Sequence, residues 1–127
     1  MSANGLGTAI TKLRERRTLS IRELSTLADV DHAYISRLEN GEKTNPSADA
    51  MERLLRGLKP SDREAKMLRW LAEHPETDSK LVKQALEDSS VTFEEFTIAA
   101  ATVHRGGSRP EPAKLIERVR KILSEED

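Results

Sequence analysis

Apolar residues recur at three- and four-residue intervals along most of this 127-residue chain, and no stretch alternates with the two-residue period of a strand. The pattern predicts an all-α fold. Ile10 and Leu13 mark a first helix over roughly 5–16. In "TLSIREL", Ser20 and Glu23 have capping-box spacing and open a second helix that runs to about Ala28, with Leu24 and Leu27 facing inward. Asp29 and Val30 form a tight turn into "VDHAYISRLENG". There Asp31 is placed to cap a short third helix, Ile35 and Leu38 share a face, and Gly41 ends it in the left-handed conformation. Ser47 caps a fourth helix carrying Met51, Leu54, Leu55 and Leu58.

Pro60 restarts the chain, and Ser61 with Glu64 repeats the capping-box spacing before a fifth helix with Met67, Leu68, Trp70 and Leu71. "HPETDS" breaks it. A sixth helix holds Leu81, Val82, Ala85 and Leu86, and a seventh carries Phe93, Phe96, Ala100 and Val103 on one stripe. "RGGSRPEP", residues 105–112, reads as a linker, and Leu115, Val119 and Ile122 form the stripe of a last helix with Ile116 and Leu123 beside them. The expected organisation is a five-helix unit over 1–74, a helical oligomerisation or partner-binding region over 75–104, the linker 105–112, and an amphipathic helix over 113–127.

The net charge of −1 gives no global sign of a nucleic-acid partner. Residues 1–59 are net +2, residues 60–104 net −4 and residues 105–127 net +1, so any contact with DNA must come from local placement of charge. Cysteine is absent, which excludes disulfides and thiolate metal sites. No apolar run reaches membrane-spanning length and the first residues lack an unbroken apolar signal core, so a cytoplasmic protein with no membrane association is expected.

Two features of the first 58 residues bear on function. The second and third helices are each about eight residues long and joined by a turn too short for them to lie side by side, which is helix-turn-helix geometry. Arg14 lies four residues after Ile10 and Glu39 four after Ile35, so each charge falls on its helix's inward side. Unpaired, each would carry a severe desolvation penalty; an Arg14–Glu39 ion pair is therefore predicted. The competing reading sends both side chains outward separately.

The stretch "ITKLRERRTLSIRELSTLADVDHAYISRLENGEKTNPS" resembles the Cro and phage-repressor type of helix-turn-helix, the XRE family, over about residues 6–58. Ile10, Leu13, Arg14, Leu19, Ser20, Leu24, Val30, Ile35, Leu38, Glu39, Gly41, Pro46 and Ser47 carry the resemblance. It implies a lambda-repressor-like bundle with a helical C-terminal extension, and DNA binding through the third helix. His32, Ala33 and Arg37 then occupy base-reading positions, and Arg37 is suited to guanine O6 and N7. Tyr34, Ser36, Asn40, Lys43 and Thr44 fall where the family meets the DNA backbone, and Arg22, adjacent to Ile21, can supply the phosphate contact usual at that position. Tyr34 packing on the turn and Lys43 as a solvated charge are the plainer alternatives. The sequence departs from the family at Ile21, where glutamine is common; at Ser25, where alanine is usual; and at Asp29, where glycine is usual.

One such module meets few bases, so a homodimer on an inverted repeat is implied, with repression as the family's usual outcome. Leu115, Val119 and Ile122 are the candidate oligomer or partner surface. The alternative is an antitoxin or immunity-type autorepressor whose C-terminal half binds a toxin or protease. Trp70 reads as core, with a partner anchor as the alternative. An enzyme is not expected, nor a cofactor or a metal. The three histidines (32, 74 and 104) are far apart and outside any metal-binding spacing; "NGLGTA" lacks a third glycine and a preceding strand.

Overall fold

The computed structural model describes residues 4–102 and 111–125. Among them are eight helices and no strand: α1 (Gly5–Arg16), α2 (Ile21–Ala28), α3 (His32–Glu39), α4 (Ala48–Leu58), α5 (Asp62–Glu73), α6 (Ser79–Glu87), α7 (Phe93–Ala101) and α8 (Pro112–Glu125). The all-α reading and the order of elements agree with the hydrophobic pattern.

Local chemistry sets the helix starts. Asn4, Ser20, Ser47, Ser61 and Thr92 each accept a hydrogen bond from an amide in the first turn, and Ser20–Glu23, Ser61–Glu64 and Thr92–Glu95 complete reciprocal capping boxes. Asp31 occupies the cap position of α3 but makes no side-chain cap bond, contrary to expectation. Past the end of α3, Gly41 adopts φ 84° and donates its amide to the Leu38 carbonyl, as its residue type allows. Pro112 is the first residue of α8, one position ahead of the predicted start; its missing amide hydrogen costs nothing there. Residues 105–110 of the expected linker, and Val103 of the α7 stripe, lie outside the described residues.

The core is continuous. Leu6, Ile10 and Leu13 of α1 are buried together with Leu24, Ile35, Leu38, Leu54, Leu58, Leu68 and Leu71, and the same cluster runs on through Leu81, Val82, Phe96, Leu115 and Val119. Each such side chain contributes about 1.5–3 kcal/mol on burial. α1 is the hub, with α3 on one side and α5 and α6 on another. α6, which follows the expected boundary at residue 74, packs along α1.

One expectation is corrected. Leu27 is 54% exposed: the inward arc of α2 runs through Ile21, Leu24 and Ala28, and Leu27 falls beyond its edge. The α8 stripe, a candidate oligomer or partner surface, packs on α6 and α7 of its own chain in the structure. Leu115 and Val119 are buried there and Arg120 bonds Glu95, leaving Ile122 as the exposed member of the trio.

Candidate nucleic-acid interface

The geometry of α3 follows from what holds each end. At its C-terminal end, Glu39 accepts from Arg14 Nε at 2.7 Å, Arg14 Nη2 at 2.9 Å and Thr11 Oγ1 at 2.9 Å. The remaining Arg14 fork donates to the Leu19 carbonyl at 2.7 Å, so one guanidinium ties α1, the α1–α2 turn and α3 together. Thr11 went unnoticed in the sequence, although it lies one turn before Arg14 on the same face. Beside this pair the helices nearly touch: a Cβ on Gly7 would lie 2.4 Å from the Glu39 carbonyl oxygen.

At the N-terminal end, the α2–α3 turn is closed by the Ser25 carbonyl, which accepts from the amides of Asp29 and Val30. Ser25 Oγ donates back to the Val30 carbonyl at 2.5 Å. The serine that stands where alanine is usual thus gains a role, its hydroxyl bracing the turn. Ile21, where glutamine is usual, packs half-buried against the core, and Arg22 beside it is exposed.

This leaves one face of α3 uncovered. His32 and Arg37 are exposed on it, with Ala33 and Ser36 half-buried. Tyr34 packs against the core and lies under the Lys43 ammonium, 5.3 Å from ring centroid to nitrogen. Lys43 is further fixed by its amide, which donates to the Arg37 carbonyl at 3.1 Å. Asn40 is engaged locally: its Oδ1 accepts from the Glu42 amide at 3.0 Å and its Nδ2 donates to the Glu42 carboxylate at 3.2 Å. Thr44 is half-buried in the loop before α4. His32, Ala33, Ser36 and Arg37 therefore share one helix surface, Tyr34 and Lys43 stand at its margin, and Asn40 serves the loop. Arg22 projects from the first turn of α2.

A cleft of about 300 Å³ runs between the start of α3 and α4, walled by Asp31, Tyr34, Arg37, Ser47 and Arg53. Away from this face, Trp70 stacks on His74 with centroids 4.0 Å apart and meets the Phe96 ring edge-on at 5.5 Å, which accounts for it as a packing residue. No helix among the described residues is long and apolar enough to cross a membrane.

A short helix, braced at both ends and presenting arginine and histidine outward, is what a major-groove reader requires. Residues 6–67 match the family model of a helix-turn-helix domain. The N-terminal part of the chain is thus a helix-turn-helix domain, consistent with an XRE-type segment, and it suggests a DNA-binding regulator. A comparison with curated proteins gave no match.

Proposed function

We propose that this chain is a sequence-specific DNA-binding regulator that acts as a homodimeric repressor on an inverted-repeat operator. The observation that carries the reading is the exposed Arg37 guanidinium on a recognition helix whose inner side is fixed to α1 by the Arg14–Glu39 pair. A planar fork held at a defined tilt suits bidentate bonding to guanine. Ala33 suits a thymine methyl and His32 can donate to a base, while Arg22, Tyr34, Ser36 and Lys43 meet phosphates. Half-sites about 34–36 Å apart, one duplex turn, are expected for two-fold related recognition helices.

Selection of bound duplexes from random DNA, followed by titration of Arg37→Ala, tests this. The substitution should weaken binding to the selected site by about 1–3 kcal/mol and leave random-sequence DNA nearly unaffected. Equal losses on both would reduce Arg37 to a phosphate anchor. Failure of the wild-type chain to enrich any sequence would remove the reading altogether.

A further inference from the structure

Asp29 stands at the corner of the helix-turn-helix with φ 55° and ψ 49°, a left-handed conformation that glycine adopts freely and other residues only reluctantly. The residue that meets it comes from outside the motif. Arg53 Nη1, from α4, donates to the Asp29 carbonyl oxygen and to its Oδ2, both at 3.0 Å. Arg53 Nε lies 3.0 Å from Asp49 Oδ2 on its own helix, an ion-pair contact without hydrogen-bond geometry. One side chain therefore grips both the backbone and the carboxylate of the residue whose dihedral angles set how α3 leaves α2.

We infer that Arg53 is a positioning residue for DNA reading, acting through Asp29. The inference rests on the DNA-binding reading above. Arg14 holds the C-terminal end of α3 and Arg53 holds the turn at its N-terminal end, so two guanidiniums from two neighbouring helices define the tilt at which Arg37 is offered. The usual glycine needs no such brace; an aspartate in that corner does.

The rival role for Arg53 is direct contact with a DNA phosphate, and salt dependence separates the two. A lost phosphate contact lowers the slope of log affinity against log salt by about 1, whereas lost positioning weakens the specific site at unchanged slope. The test uses the full chain and a duplex enriched from random DNA by the wild type. Arg53→Ala should lose about tenfold on that duplex, keep its salt slope, and change little on random-sequence DNA; Asp29→Gly should bind within about threefold of wild type. In the Asp29→Gly background, Arg53→Ala should cost only about twofold, because the residue to be braced is gone. Circular dichroism at the binding temperature checks folding, and Arg53→Lys, keeping charge without the fork, takes the place of Arg53→Ala should that variant unfold.

An unchanged affinity, a slope reduced by about 1, or an equal loss in both backgrounds would each overturn the assignment. A wild type that enriches no duplex would instead overturn the DNA-binding reading beneath it.

Discussion

Arg14 and Glu39 meet fork to fork, with two nearly parallel hydrogen bonds of 2.7 and 2.9 Å between side chains that are only 14% and 9% exposed. A pair this dry depends on both members, since either one alone would be a buried charge without compensation. Glu39→Ala should lower the free energy of unfolding by about 3 kcal/mol, measured by urea denaturation. Replacing both by apolar residues, Arg14→Met with Glu39→Leu, should recover more than half of that loss, because no charge remains to be desolvated. A double variant as unstable as the single would show that the Thr11 and Leu19 contacts carry the stability, not the pair itself.

Gly7 fixes the spacing that lets this pair form. Its absent side chain leaves room for the Glu39 and Leu38 carbonyl oxygens, which a Cβ would approach to 2.4 and 2.7 Å. Alanine is the better helix former by about 1 kcal/mol, so propensity alone would make Gly7→Ala stabilising. The backbone of α3 has no flexible end to move aside, and the clash should win, with a net loss of about 1–3 kcal/mol in chemical denaturation. Gly57→Ala is the informative comparison. There the nearest atom, at 2.9 Å, is a Leu24 side-chain methyl, and the loss should be smaller.

The contrast between Arg14 and Arg16 shows how far the sequence can be read. Arg14 could be paired in advance because it and Glu39 both occupy apolar positions of short helical stripes, an anomaly with one economical solution. Arg16 carries no such mark; its partner, Glu64, is 48 positions away and was legible only as a capping residue. Arg53 and Asp29 are likewise joined by the packing of α4 on α2, which periodicity does not specify. Helix starts were legible wherever a Ser–Glu box opened them. Leu27 was misplaced because three-residue spacing from Leu24 fits either edge of an inward arc. For the α8 stripe, amphipathicity says that a face is covered and not by which chain; α6 and α7 cover Leu115 and Val119 in the structure. The base-reading and DNA-backbone positions came from the resemblance, and the structure adds that His32 and Arg37 are exposed while Asn40, a backbone candidate, is engaged with Glu42.

Glu64 gives the fold an acid-sensitive joint between α1 and α5. Its carboxylate accepts from both Arg16 nitrogens at 2.6 Å and from the Ser61 amide at 2.9 Å. The Arg16 bonds, chiefly, pull its pKa from 4.5 down to about 2, against the opposing effect of burial. Because the folded-state value lies below the unfolded one, the carboxylate contributes full stability above about pH 4.5 and loses it as pH falls toward about 2. The shift corresponds to at most about 3 kcal/mol; with the Arg16 side chain half exposed to water, about 1–2 kcal/mol is expected. Glu64→Gln should therefore be less stable than wild type by that amount at pH 7, and the two denaturation curves should converge as pH approaches 2. A gap that stays constant across this range would locate the effect in the capping geometry and not in the charge.

Thr18, between α1 and α2, holds φ 55°, where its branched Cβ crowds the backbone. It is exposed, and its hydroxyl donates only to the neighbouring Arg17 carbonyl, at 2.6 Å. Relief of left-handed strain in a residue of this type is worth about 1–2 kcal/mol. Glycine relieves it fully but loses roughly 0.5–1 kcal/mol through the greater freedom of the unfolded chain, so Thr18→Gly should gain little. Asparagine tolerates the same conformation without that entropic loss. Thr18→Asn should therefore be the more stable of the two, raising the melting temperature by about 2–6 °C. Thr18→Val, as branched as threonine and without its hydroxyl, should lower it. The three substitutions share one exposed site, so their order reports on backbone strain: valine equal to asparagine would mean that the turn is relaxed and its left-handed geometry is set by the helices on either side.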